Sequence, residues 1–175
     1  MDPGASRGSF FLETIILNGT SPAAGICQID HVNLVVRDMP SMIAFYRDVL
    51  GMRLSREVTI NGEWIDDVTG LSNVTADVAF LEAESGPKIE LLYFRHPQGP
   101  AIHGLGVPNL PGLRHIAFRV NDIDRCAAAI RAAGVPLVSE VQAVPTGQVP
   151  FATTQKRLVY FRDPEGNLLE LCQYQ

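Results

Sequence analysis

The sequence predicts an α+β fold built from two tandem βαβββ modules, whose eight strands form a curled mixed sheet with the helices on its outer face. Three observations carry this prediction. Residues 30–52, DHVNLVVRDMPSMIAFYRDVLGM, lie over 114–135, RHIAFRVNDIDRCAAAIRAAGV, with a single-residue gap. In each copy a run alternating in character gives way to a helical period and then to three further strand-like runs. Between the copies, residues 98–112 carry four glycines and three prolines, a composition that punctuates rather than continues regular structure.

Taken in order, residues 1–26 form an N-terminal arm or tag remnant, in which FFLETIIL is an optional edge strand. The first module spans 27–97. QIDHVNLVV is its first strand, rich in β-branched residues. Asp38 is placed to cap a helix by accepting from its free first-turn N–H groups. Met42, Phe45, Tyr46, Val49 and Leu50 recur at helical spacing and stop at Gly51, so one helix face packs on a sheet. MRLSREVTI, ADVAFLEA and KIELLYF follow as strands, and the stretch holding Trp64, Asp66 and Asp67 reads as a rim loop. Residues 98–112 link the modules. The second module, 113–175, repeats the plan with LRHIAFRV, a cap at Asp122, and a helix through Ile123, Cys126, Ala127 and Ile130 to Gly134. Its remaining strands are VPLVSEV, RLVYFRD and NLLELCQY.

Composition narrows the function. Apolar residues make up 46% and charged residues 19% of the chain, an ordinary globular balance. The net charge of −5, with no basic cluster, excludes a nucleic-acid or anionic-membrane footprint and points to a small-molecule partner. Cys27, Cys126 and Cys172 show no CxxC spacing, which suggests buried thiols in a reducing compartment. The apolar run near the start is interrupted by Glu13 and fits neither a secretory signal nor a membrane span, so a cytoplasmic location is expected.

Strand parity places the chemistry. With Val32, Leu34 and Val36 toward the helix, His31, Asn33 and Val35 face the concave side. In the repeat, Ile116, Phe118 and Val120 go to the helix, leaving His115, Ala117 and Arg119 on the concave side. Glu90 and Glu170 sit on that same side of the last strands, each between apolar neighbours. His31 precedes Glu90 by 59 residues and His115 precedes Glu170 by 55, so the repeat relates the two pairs. A glutamate in such a strand is costly to bury unless paired, protonated or metal-bound. Two histidines and two glutamates converging on one cavity suit a divalent ion, with Ni, Co, Zn, Fe or Mn all compatible with mixed N/O donors. Four protein ligands on a six-coordinate ion leave two positions for water or substrate. Asn33 and Arg119, on the same face, are the candidate substrate contacts. His96 and His103 have no counterparts and read as surface residues.

These residues resemble the vicinal oxygen chelate superfamily, which includes glyoxalase I, methylmalonyl-CoA epimerase, fosfomycin-resistance thiol transferases, extradiol dioxygenases and bleomycin-binding proteins. IDHVNLVVRD, AFYRDVLGM, KIELLYF, LRHIAFRVNDID and FRDPEGNLLEL carry the likeness, which covers about residues 28–175. The resemblance implies metal ligands at His31, Glu90, His115 and Glu170, and a homodimer. IDHVNLVV and GLRHIAFRVNDID are similar to the epimerases, whereas FRDPEGNLLEL looks more like glyoxalases and ring-cleaving dioxygenases. A glutamate at both last-strand positions suits glyoxalase I. The expected function is therefore a metal-dependent lyase or isomerase that moves a proton next to a metal-bound carbonyl, through an enolate or enediolate, with Glu170 or Glu90 as base. The alternatives are an Fe(II) extradiol-type dioxygenase, which would leave one glutamate redundant, and a metal-free drug-binding protein.

Overall fold

β1 (His31–Val35) opens the first module and pairs in parallel with that module's last strand, β4 (Lys88–His96). The computed structural model describes residues 25–145, 147 and 155–175; the N-terminal FFLETIIL run lies outside them. Asp38 then starts α1 (Met39–Ala44), its Oδ1 accepting from the Ser41 N–H at 3.1 Å. Helix α1 runs directly into a π-helical turn, Phe45–Val49, which was not legible in the apolar spacing. β2 (Arg53–Asn61) and β3 (Thr75–Glu82) complete a four-stranded sheet in the order β1-β4-β3-β2.

The segment read as a rim loop is instead mostly helical. Gly62, with φ +99°, admits the turn that starts α2 (Glu63–Thr69), and Gly70 at φ +67° closes it. The Asp66 carboxylate accepts from the Asn73 and Val74 N–H groups, both at 2.8 Å, so it ties α2 to the strand that follows. Ile65 packs with Val74 and Ala76 against Ile60, Leu92 and Phe94. Leu92 and Phe94 lie on the side of the sheet away from α1, so α2 covers part of that open face.

The second module repeats the plan with β5 (His115–Arg119), α3 (Ile123–Ala132), β6 (Gln142–Ala143), β7 (Lys156–Arg162) and β8 (Leu168–Tyr174), ordered β5-β8-β7-β6. Asp122 caps α3 through Arg125 N–H at 3.0 Å, as the repeat predicts. The strand expected in VPLVSEV reduces to an isolated bridge, Leu137 with Phe161, and β6 begins only at Gln142. Pro136 has no N–H for a ladder, which shortens pairing there.

The tandem βαβββ reading therefore holds, but the strands form two four-stranded sheets rather than one continuous eight-stranded sheet. Among the described strands none pairs across the modules. What joins them is one apolar core. Met42, Phe45 and Tyr46 of the first helical segment meet Phe161 and Leu169 of the second sheet there, beside Ile123 and Ile130 of α3. The helices lie on this side of the sheets, opposite the His–Glu faces, with their outer faces exposed. The Tyr46 hydroxyl also donates to Asp163 Oδ2 at 3.1 Å across the module boundary. Glu165 Oε1 accepts from the Arg37 and Asp38 N–H groups at 2.6 and 2.8 Å. Among the described residues no helix is long and apolar enough to cross a membrane.

Candidate metal centre

The alternation predicted for the first strands is observed: Val32, Leu34, Ile116 and Phe118 pack on the core, while His31, Asn33, His115 and Arg119 are exposed on the opposite faces. On the first sheet, His31 Nε2 lies 3.4 Å from Glu90 Oε2. Asp30 Oδ2 holds the other ring nitrogen, Nδ1, at 2.9 Å. The Asp30 carboxyl is kept below the ordinary aspartate range by this hydrogen bond and by Lys88. Asn33, directly beside Glu90 in the β1–β4 register, donates from Nδ2 to Glu90 Oε2 at 2.8 Å. A substrate-contact candidate thus has a positioning contact in the free chain.

The second sheet repeats the pair with different neighbours. His115 Nε2 lies 3.5 Å from Glu170 Oε2, and the Glu170 side chain is only 3% exposed. In Asn33's place stands Ala117, and Lys156 takes over as partner, with Nζ 2.7 Å from Glu170 Oε1. Partial burial would lower the Lys156 ammonium, but the hydrogen bond and charge of Glu170 more than offset this and place it above an ordinary lysine. The His115 and Tyr160 rings are tilted neighbours, 5.2 Å between centroids. Burial raises the Tyr160 hydroxyl first, and the Glu170 charge and hydrogen bond add to the shift.

These two pairs do not meet in one chain. Among the described residues no three or more His, Cys, Asp or Glu side chains gather as a metal site. The sequence leaves open whether the four meet within one chain or between two, and in this one chain the pairs stand on separate sheets. The reason is the shared core: both sheets turn their helix-packed faces to it, so the two His–Glu faces are directed away from it. An apolar cleft lined by Leu50, Met52, Ile116, Phe118 and Ile130 lies on the core side and includes none of the four residues.

Each pair nevertheless fits half of a metal site. Donors about 2.0–2.2 Å from a common ion sit roughly 3–3.5 Å apart when adjacent in the coordination shell, and both Nε2–Oε2 separations fall in that range. Each pair offers one imidazole and one carboxylate, the mixed set that suits first-row divalent ions. The Asp30–His31 contact has the form of an outer carboxylate orienting a ligating imidazole.

Lys156, Tyr160 and Asp30 were not singled out from the sequence. Lys156 shares a face with Tyr160 by strand parity, but only if β7 starts one residue earlier than RLVYFRD. Asp30 was signalled by its place immediately before His31. His96 and His103 are exposed. Burial raises the Cys126 and Cys172 thiols first, which disfavours the thiolate form.

A tandem βαβββ chain with one His–Glu pair on the open face of each sheet defines a class of protein by fold and site together. The chain belongs to the glyoxalase/bleomycin resistance protein/dioxygenase superfamily, whose family model matches residues 28–171. It is 31% identical over 150 residues to a lactoylglutathione lyase of Haemophilus influenzae, covering 83% of this chain and 92% of that enzyme. It is also 31% identical over 151 residues to the uncharacterized protein YaeR of Escherichia coli, covering 85% of this chain and 98% of the relative. Among solved structures it is similar to a glyoxalase family protein from Bacillus cereus, with a TM-score of 0.74, 29% identity, and coverage of 89% of this chain and 99% of that one.

Proposed function

We propose that the protein is a metal-dependent lyase or isomerase of the glyoxalase/epimerase kind, active as a homodimer that assembles its metal centre between chains. The observation that carries this reading is the pair of matched half-sites, His31–Glu90 and His115–Glu170, on faces turned away from one chain's core. In a two-fold dimer, each pair of one protomer can meet the complementary pair of its partner, giving two equivalent centres. His31, Glu90, His115 and Glu170 would then hold the ion, which supplies Lewis acidity to a substrate carbonyl oxygen.

The chain's own residues supply the rest. Glu170, nearly excluded from water, takes the proton from the carbon beside that carbonyl and returns it to the neighbouring carbon or the opposite face. Glu90, held by Asn33, serves chiefly as a ligand, and Asp30 fixes the His31 ring with Nε2 toward the ion.

Complementation tests the assembly. His31→Ala and His115→Ala should each take up little metal alone, because the remaining donors bind weakly. Mixed after co-refolding, they form heterodimers in which one of the two centres is intact. Random pairing then restores about one quarter of wild-type metal. A centre built within one chain would give no restoration, and that result would refute the assembly. The chemistry is checked in D₂O: a turned-over hemithioacetal or acyl thioester should carry solvent deuterium beside its carbonyl. Oxygen uptake with a catechol would favour the dioxygenase instead.

A further inference from the structure

The two open faces are related by the repeat but not alike. Around Glu90, the residues at repeat-equivalent positions are Val35, Ala76, Phe80 and Phe94; around Glu170 they are Arg119, Lys156, Tyr160 and Tyr174. One wall is therefore apolar, with Leu92 and Phe94 packed under α2. The other is cationic and phenolic. Lys156 Nζ and the Arg119 guanidinium both lie over the Tyr174 ring, 5.9 and 5.3 Å from its centroid. Lys156 is only 16% exposed, an expensive place for an ammonium unless something beyond packing uses it. Its one carboxylate partner here is Glu170, and among the described residues Arg119 has no ion pair. Two cations against one anion leave this wall one unit positive, in a chain whose net charge is −5.

We infer that Lys156 and Arg119 form the wall that recognises a carboxylate on the substrate, so that the substrate is a carbonyl compound bearing one carboxylate near its chelating oxygens and an apolar part opposite. This rests on the metal reading above. With Glu170 Oε2 beside His115 Nε2 and Oε1 on Lys156, Glu170 can hold the ion and keep Lys156, which leaves Arg119 as the cation still to be balanced. Arg119 offers the planar fork that matches a carboxylate. A single carboxylate balances the charge. The apolar groups Val35 and Phe80 accept the uncharged part of the molecule, and the Tyr174 ring, already flanked by the two cations, forms the floor.

The test uses two probes that share a vicinal oxygen pair and differ by one carboxylate, catechol and 3,4-dihydroxybenzoate. Both are titrated calorimetrically into the zinc-loaded full-length protein, with zinc content measured in parallel. Wild type should bind the benzoate about 10- to 100-fold more tightly, the scale of charge-assisted hydrogen bonds. Arg119→Gln and Lys156→Met should each shrink that preference. The exposed Arg119 variant keeps the test decisive if removal of Lys156 disturbs folding. Equal affinities in wild type, a preference that survives in Arg119→Gln, or no binding of the benzoate to zinc-loaded protein overturns the inference. Absence of zinc uptake by wild type removes the metal reading itself, and the parallel zinc assay tells the two failures apart.

Discussion

Tyr46→Phe removes one hydroxyl from the seam between the modules and nothing else of size. The side chain is fully buried, and its O–H donates to Asp163 Oδ2 at 3.1 Å. Asp163 is itself buried, and it keeps three other donors: the Asn167 Nδ2 at 2.8 Å and the Glu165 and Asn167 N–H groups at 3.0 and 2.9 Å. A hydrogen bond to a charged group is worth about 1.5–3 kcal/mol net. With three donors remaining, a loss of about 2 kcal/mol is expected at neutral pH. For a chain of this size that lowers Tm by about 4–8 °C, measured at fixed protein concentration.

The pH dependence sharpens the test. Burial raises the Asp163 carboxyl above the ordinary aspartate range, and its donors, Asn167 first, pull it only part of the way back. A carboxyl raised in the folded state binds its proton more tightly there than in the unfolded chain. Its contribution is therefore fully present below the ordinary aspartate pKa and is lost as pH rises through the raised value. Removing the Tyr46 donor raises Asp163 further, so the variant's deficit grows across that window. Thermal melts followed by circular dichroism should show a clearly smaller deficit at about pH 4 than at about pH 7. A change in Tm under about 1 °C at neutral pH, or the same deficit at both, would refute the reasoning.

The two glutamates are separable by their amide variants. Glu170→Gln should keep much of its metal and lose turnover by about 10²-fold or more, as loss of a general base does, whereas Glu90→Gln should weaken metal binding and recover partial activity in excess metal. Equal and fully metal-rescued activity in both would remove carboxylate base catalysis from this site. Asn33→Ala takes away the 2.8 Å hydrogen bond that positions Glu90, and should lower metal affinity by about 10- to 100-fold, read by competition with a chelating dye. An unchanged affinity would make the Asn33 contact incidental to the centre.

Much of this architecture is legible in the sequence because it depends on local periods. A strand repeats every second residue, so once Val32 and Ile116 belong to the core, His31 and His115 must face the other way. The same alternation puts Glu90 and Glu170 beside them, and the Asp38 and Asp122 caps follow from the chemistry of a helix start. Local rules read less well where elements are held by distant contacts. Helix α2 depends on Ile65 reaching Leu92 and Phe94, and on the Asp66 carboxylate spanning to Val74, neither of which leaves a run of helical apolar spacing. The strand expected in VPLVSEV failed because pairing needs a partner's N–H and C=O groups as well as β-branched residues.

What the sequence by itself determined, then, is the pair of βαβββ modules and the partnership of each histidine with its own glutamate. What only the tertiary structure decided is how the two pairs stand to one another, and which neighbours each acquires. The contacts of Phe45 and Tyr46 with Phe161 and Asp163 set the modules core to core, and that turns the His–Glu faces outward. Alternation states which side of a strand a residue occupies but not what that side will meet. Pairing within a chain and pairing between chains satisfy the same alternation equally well, and only the packing of one module on the other distinguishes them.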